Sequence, residues 1–378
     1  MKPLRIQSID ALRGLIMIIM ALDHIRDFFH FDAFLHNPLD LRYSPYPLFM
    51  TRWITHFCAP TFILLTGVSA YLYGLKHTKA ELSRFLFTRG LWLVFLEITV
   101  VAIGWKYNFD FQHTILMVIW AIGMAMIFLS AMVWLPYAAI LGIGLLIVCT
   151  HNLFDSVHVT PGTFWSDVWM ILHQQGYIAF NDKAGVFIFY TLLPYFGLIC
   201  AGYGFGKVFA PQVEAAVRKR TLLFTGLVCI VAFIVLRLIN KYGDPQPWDY
   251  QVPWRYTFAS FINCTKYPVS LQFALMILGP AILILYALDG VQNRLTNFLV
   301  TIGKVPMFYY IVHIYLIHAI AMVMDDKSPN TPFGVQGKYH LWTVYVIWVC
   351  VVAALYLPCK WYGKYKSAHP ENWWLSYI

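Results

Sequence analysis

Apolar residues run along this chain in long windows separated by short clusters of Lys, Arg, Asp, Asn, Gly and Pro, and the windows have the length of membrane helices. They predict about ten spans, at 9–30, 50–75, 85–106, 114–134, 136–153, 186–208, 221–240, 267–288, 297–323 and 341–361. An even number of spans puts both termini on one face. With the N-terminus in the cytoplasm, Lys2 and Arg5 share that face with Lys76, Lys79, Arg84, Lys207, Arg218, Lys219, Arg220, Arg294, Lys360, Lys364 and Lys366, mostly in short loops. The opposite face carries the longer segments 31–49, 154–185 and 241–266, rich in Pro, Asp, Asn, Trp and Tyr. The second of these contains an amphipathic run, FWSDVWMILHQQ, expected to lie in the outer interface, as is the tail PENWWLSYI. The expected fold is an all-α integral membrane protein, one polytopic domain over 1–378 with both termini cytoplasmic.

Composition agrees. The 378 residues are 60% hydrophobic and 12% charged, with a mean hydropathy of +0.63, which excludes a soluble globule. An aromatic share of 18%, including 14 Trp and 24 Tyr, suits belts at two membrane interfaces. The formal charge of +9 follows from positive-inside bias, so it does not point to nucleic acid, whereas an anionic cytoplasmic ligand fits it. Seven scattered cysteines with no CxxC and no Cys/His group at zinc spacing indicate neither disulfides nor a metal. No internal repeat is visible, which weighs against a transporter built from inverted repeats.

The first span stands apart. Between Asp10 and Asp27 it holds six ionisable groups, where a plain anchor would have none. Asp10 and Arg13 can reach the inner headgroups and Arg26 and Asp27 the outer ones; Asp23 and His24 are harder to account for as snorkelling ends. At 100° per residue, Asp10, Arg13, Met17, Met20, His24 and Asp27 fall on one stripe, with Asp23 about 100° away. Arg13 and His24 lie roughly 16 Å apart along such a helix. The stripe therefore predicts a polar track lining a slot for an extended carrier. Asp27, one turn beyond His24, would orient the imidazole and leave its other nitrogen as a base.

The stretch SIDALRGLIMIIMALDH resembles the opening signature of the transmembrane acyltransferases, in which an Asp-x-x-Arg pair is followed on the same helix by a catalytic His. More closely, the chain is similar to bacterial relatives of heparan-α-glucosaminide N-acetyltransferase, most clearly over 3–230. The likeness rests on the order and spacing of DHIRDFF at 23–29, APTFILLTGVSAYL at 59–72, RGLWLVFLEITVV at 89–101, MVIWAIGMAMI at 117–127, YTLLPYFGLICAGYGFG at 190–206, KYPVSLQFALMILGPA at 266–281 and GKVPMFYYIVHIYLIH at 303–318. The resemblance implies a transmembrane acyltransferase-like bundle in a bacterial inner membrane. It also implies transfer of an acetyl group from cytoplasmic acetyl-CoA to a sugar amine or hydroxyl on the far side. The animal enzymes carry Asn at the position of His24 and use a His just after the span, where this chain has Leu35 and then His36. The catalytic role is therefore open between His24 and His36.

Other residues have a bland reading beside the functional one. Arg89 and Glu97 in the third span form an intramembrane pair, or contact Asp10 or Asp27, or meet substrate or cofactor; Lys304 meets a CoA phosphate or snorkels. His56 and His313 are candidates to line the transfer site, His113 and His318 being ordinary interhelical histidines; His313 and His318, about 140° apart, cannot share one metal. GYGFG at 202–206 reads as close helix packing rather than a phosphate loop. The expectation is an acyl-CoA-dependent acyltransferase with catalytic His24, Asp27 and His36, and with Asp10, Arg13, Arg89 and Lys304 holding acetyl-CoA, by direct or ping-pong transfer and without a metal. The expected partners are the lipid bilayer, acyl-CoA and a sugar or glycan acceptor, a homodimer being allowed. A small-molecule transporter using the buried charges as a relay is the rival reading.

Overall fold

Short polar side chains start several of the helices. Thr78 and Glu81 form a reciprocal capping box at the head of Lys79–Leu96, Asn293 and Thr296 do the same for Arg294–Gly303, and Ser270 accepts from the Phe273 amide to cap Leu271–Leu288. The computed structural model describes residues 6–324, 326–327 and 334–376; Lys2, Arg5 and the end of the tail lie outside them.

In chain order the helices are α1 (Gln7–Phe29), α2 (Tyr46–Thr55), α3 (Cys58–Gly74), α4 (Lys79–Leu96), α5 (Ala102–Lys106), α6 (Val118–Met132), α7 (Tyr137–Thr150) and α8 (Phe164–Leu172). They continue as α9 (Leu193–Phe205), α10 (Ala215–Ile239), α11 (Trp254–Ile262), α12 (Leu271–Leu288), α13 (Arg294–Gly303), α14 (Pro306–Met324) and α15 (Leu341–Ala368). Every predicted window holds a helix, and the protein is an α-helical membrane protein. Among the described residues seven helical stretches are long and apolar enough to cross a membrane: 46–74, 79–106, 137–154, 215–239, 271–288, 306–324 and 341–368. α6 and α9 are shorter, at 15 and 13 residues, and α1 carries the charges noted above.

Four windows are corrected. The first residues of windows 114–134 and 186–208 are strands: β1 (His113–Leu116) pairs in parallel with β3 (Ala184–Ile188), which pairs antiparallel with β2 (Gly176–Asn181). Their apolar faces enclose a small core of Leu116, Met170, Ile178 and Ile188 beside α8. Window 297–323 is two helices, because Pro306 cannot donate the hydrogen bond that would continue α13 and starts α14 instead. Pro60 has the same effect in window 50–75, leaving the carbonyl of His56 without its helical donor where α2 gives way to α3.

α1 is central, packed against α13, α14 and α15 and also touching α2, α3 and α12. Its crossing with α13 is backbone on backbone. A Cβ on Gly14 would stand 1.9 Å from the Leu299 carbonyl oxygen, and one on Gly303 would stand 1.8 Å from that of Asp10, so only glycine fits at either place. The GYGFG segment behaves as predicted: a Cβ on Gly202 would meet the Leu64 carbonyl at 2.3 Å, which lets α9 lie close on α3. We expect Gly303→Val to destabilise the protein by at least about 2 kcal/mol through overpacking, read as a lower midpoint of unfolding in detergent, while Gly142→Val, on an exposed face of α7 with open space around it, changes the midpoint far less than that. Equal effects would mean that the α1–α13 contact is not close.

Candidate active site

Where the C-terminal end of α1 meets the 31–42 segment, the sheet and the 246–267 segment, the structure encloses a cavity of about 1070 Å³. His24, Arg52, Lys266 and Tyr310 line it together with Ile115 and Phe187 of the sheet. The sheet that hydropathy misses is thus one wall of the cavity. Lys266 rests its ammonium over the rings of Tyr190 and Tyr267, 6.0 and 5.1 Å from their centres.

His24 reaches the cavity from the buried side. Its Nδ1 is 2.7 Å from Nε2 of His313 on α14, the rings stack with centres 5.0 Å apart, and Trp105 packs edge-on at 4.8 Å. His313 Nδ1 lies 2.9 Å from the carbonyl oxygen of Tyr309. A carbonyl only accepts, so His313 carries its proton on Nδ1 and, when neutral, offers a lone pair at Nε2. His24 Nδ1–H must then be the donor, which leaves Nε2 of His24 as the lone-pair nitrogen. That is the form a general base needs.

The Asp27 carboxylate, expected beside His24, is 2.5 Å from Arg26, and it is His313 that meets the His24 ring nitrogen. Asp27 belongs instead to a chain of charges. Arg52 of α2 donates to Asp23, Arg26 stands 3.0 Å from the other oxygen of Asp23, and the Thr55 hydroxyl donates to Asp23 at 2.9 Å. His36 lines the mouth of the same cavity, its Nδ1 2.7 Å from Asp32 and its ring stacked on Tyr43. In the same loop two hydrogen bonds from Arg42, at 2.9 and 2.7 Å, hold the Asp40 carboxyl below its usual range.

Asp10 and Arg13 lie at the other end of α1. Arg13 is 3.2 Å from Asp10 and donates to the Ser69 hydroxyl and, at 3.4 Å, to the Leu65 carbonyl of α3. Lys304, exposed, follows the Gly303 that touches Asp10. Between the two ends Met17 and Met20 are 2% and 4% exposed, so the stripe is filled with side chains rather than open as a slot. Arg89 lies over the Phe85 ring at 5.6 Å. Glu97, read as its partner, accepts instead from the backbone amides of Met117 and Trp120, at 3.2 and 3.1 Å, and so caps α6. A π turn at Glu97–Val101 swings the carboxylate to that helix start.

The structure thus brings His24, Asp27 and His36 to one cavity and Asp10, Arg13 and Lys304 to the opposite end, and Arg89 on α4 is not among the residues that line the cavity. Of the other histidines, His313 touches His24, whereas His56 packs on Phe273, His113 meets Tyr177 and His318 bonds the Gly104 carbonyl. Arg52, Lys266 and Arg237 carry no sequence signal beyond a cation near the end of an apolar window. Arg237, 1% exposed, donates to the carbonyls of Gln246, Ser260, Phe261 and Asn263 and to the Gln272 side chain, which shapes the loop wall of the cavity.

Compared with models of protein families, residues 5–237 match the one described as heparan-alpha-glucosaminide N-acetyltransferase, catalytic. No curated protein matches the chain.

Removing one member of a buried ion pair leaves the other charge uncompensated, typically at a cost of about 3–5 kcal/mol. Arg52→Leu is therefore expected to lose about 3 kcal/mol in detergent unfolding, and the double variant Asp23→Asn/Arg52→Leu to recover part of that loss. Additive losses in this double-mutant cycle would show that the two side chains do not interact.

Proposed function

Because the chain belongs to the heparan-alpha-glucosaminide N-acetyltransferase catalytic-domain family, an acetyltransferase type of membrane enzyme, we propose that it moves an acetyl group from cytoplasmic acetyl-CoA to an amine or hydroxyl of an envelope sugar across the membrane. The observation that carries this reading is the His24–His313 pair opening on a cavity at one end of α1, while Arg13 lies at the other end.

In this reading Arg13, with Asp10 holding it, and Lys304 meet the CoA end, and the acceptor sugar enters the cavity. Tyr190, Tyr267 and Tyr310 offer ring faces for it, and Lys266 and Arg52 offer cations. The acceptor nitrogen or oxygen attacks the thioester carbonyl carbon while its proton passes to Nε2 of His24. The C–S bond breaks, and the CoA thiolate leaves with the proton returned by the imidazolium. His313 holds the tautomer and accepts the hydrogen bond throughout, the part of an orienting residue. Met17 and Met20, unbranched and able to adopt several rotamers, are the side chains that would turn aside for the acyl arm. Both termini are cytoplasmic in this reading, as the loop cations suggest.

Two experiments test it. With purified protein and labelled acetyl-CoA, His24→Ala should lose transfer by at least about a hundredfold, the usual worth of a positioned base, and His36→Ala less than about tenfold. His313→Ala should lower kcat by at least about tenfold with acceptor KM little changed and a shifted pH profile. Normal turnover in His24→Ala with collapse in His36→Ala would move the base to the loop, and substrate flux without acyl transfer would favour a transporter. For topology, a cysteine at position 160 in a Cys-free background should react with an impermeant thiol reagent added outside intact cells. Reaction only after the membrane is breached would invert the orientation.

A further inference from the structure

Away from the cavity floor, the end of α7 and the end of α8 bring His151, Asp155 and His173 together, with one donor atom from each lying within 4.8 Å of the others. The two histidines are 2% and 3% exposed, and the ring nitrogens His151 Nδ1 and His173 Nδ1 are buried with no hydrogen-bond partner among the described residues. A buried imidazole nitrogen ordinarily has a partner, and an ion at this cluster would supply one to His151 Nδ1. The carboxylate between them is held in place: Asn152 donates to Asp155 Oδ2 at 2.8 Å and is itself anchored by the Leu271 amide at 2.9 Å, which leaves Oδ1 turned to His173 at 3.2 Å.

We propose that His151, Asp155 and His173 form a divalent transition-metal site of the zinc class. Two imidazoles and one carboxylate are a zinc donor set, and a water would complete a tetrahedron. With bonds of about 2.0–2.2 Å, a tetrahedral ion needs donors roughly 3.4 Å apart. His173 Nε2 and Asp155 Oδ1 already stand at 3.2 Å and no two of the donors are more than 4.8 Å apart, so closing the site takes donor shifts of the order of an ångström. Asn152 supplies the outer hydrogen bond that steadies the carboxylate of such a site. The ring of aromatic groups around it, Phe154 and Trp169 against His173, limits water.

The role that follows is a staple. The ion ties the end of α7 to the end of α8, and Gln175, two residues beyond His173, lines the cavity. It stands apart from the acyl transfer proposed above and has no part in the chemistry at His24.

The test uses full-length protein purified without a histidine tag, incubated with zinc chloride and desalted, with metal counted by mass spectrometry. The wild type should retain about one zinc per chain more than Asp155→Asn or His173→Gln, and chelator should lower the unfolding midpoint of the wild type but not of Asp155→Asn. Cobalt in place of zinc should give the intense visible absorption of a tetrahedral ion in the wild type alone. Asp155→Asn is near-isosteric, so it serves if His173→Gln does not fold. The proposal falls if wild type and Asp155→Asn retain the same zinc, which would place the binding at other histidines, or if cobalt shows only weak octahedral bands.

Discussion

The ion-paired run Asp23, Arg26, Asp27 and Arg52 is the constraint around which the bundle is arranged. Charges inside a membrane protein must face partners or water and not lipid. α1 carries its charges at both ends and so cannot sit on the periphery. It takes the centre, where α2 brings Arg52 to its C-terminal half and α3 brings Ser69 to its N-terminal half. The glycine crossing with α13 makes that position possible, since the two backbones approach closely enough to exclude a Cβ from either. The cavity lies at the C-terminal end of α1, where the paired charges need a polar surface above them.

Irregular backbone at the rim of a membrane bundle creates amides and carbonyls that lipid cannot satisfy. Two buried ionic side chains answer this. Glu97 accepts from the amides at the start of α6, where β1 has just ended, and Arg237 donates to four carbonyls of the loop between α10 and α12. Each joins elements that flank the cavity. Both are charged residues in apolar helices whose hydrogen bonds go to backbone groups, so a count of buried charges does not by itself mark a site.

Within that frame the chemistry depends on proton placement. A single carbonyl, that of Tyr309, sets the tautomer of His313, and through it the tautomer of His24. In the proposed transfer the base is thus prepared by a backbone group one helical turn from His313 on α14, and a carboxylate is not needed for it. The same logic, a fixed neighbour deciding which lone pair is offered, applies at the His151, Asp155 and His173 cluster, where Asn152 holds the carboxylate.

Hydropathy determined that the chain is a helical membrane protein and placed a helix in each of its windows, because a window of some twenty apolar residues has few other stable fates. The residues of the first span placed Asp10, Arg13 and His24 on one stripe and identified the family. Local pattern could not see the strands at 113–116 and 184–188, since a short apolar run reads alike as strand or helix until its pairing is known. Nor could it see that His24 answers to His313 and not to Asp27, or that Arg52 serves Asp23. Those contacts join positions 289 and 29 residues apart. Spacing along one helix shows which side chains share a face; only the packing of other helices against that face decides which of them meet.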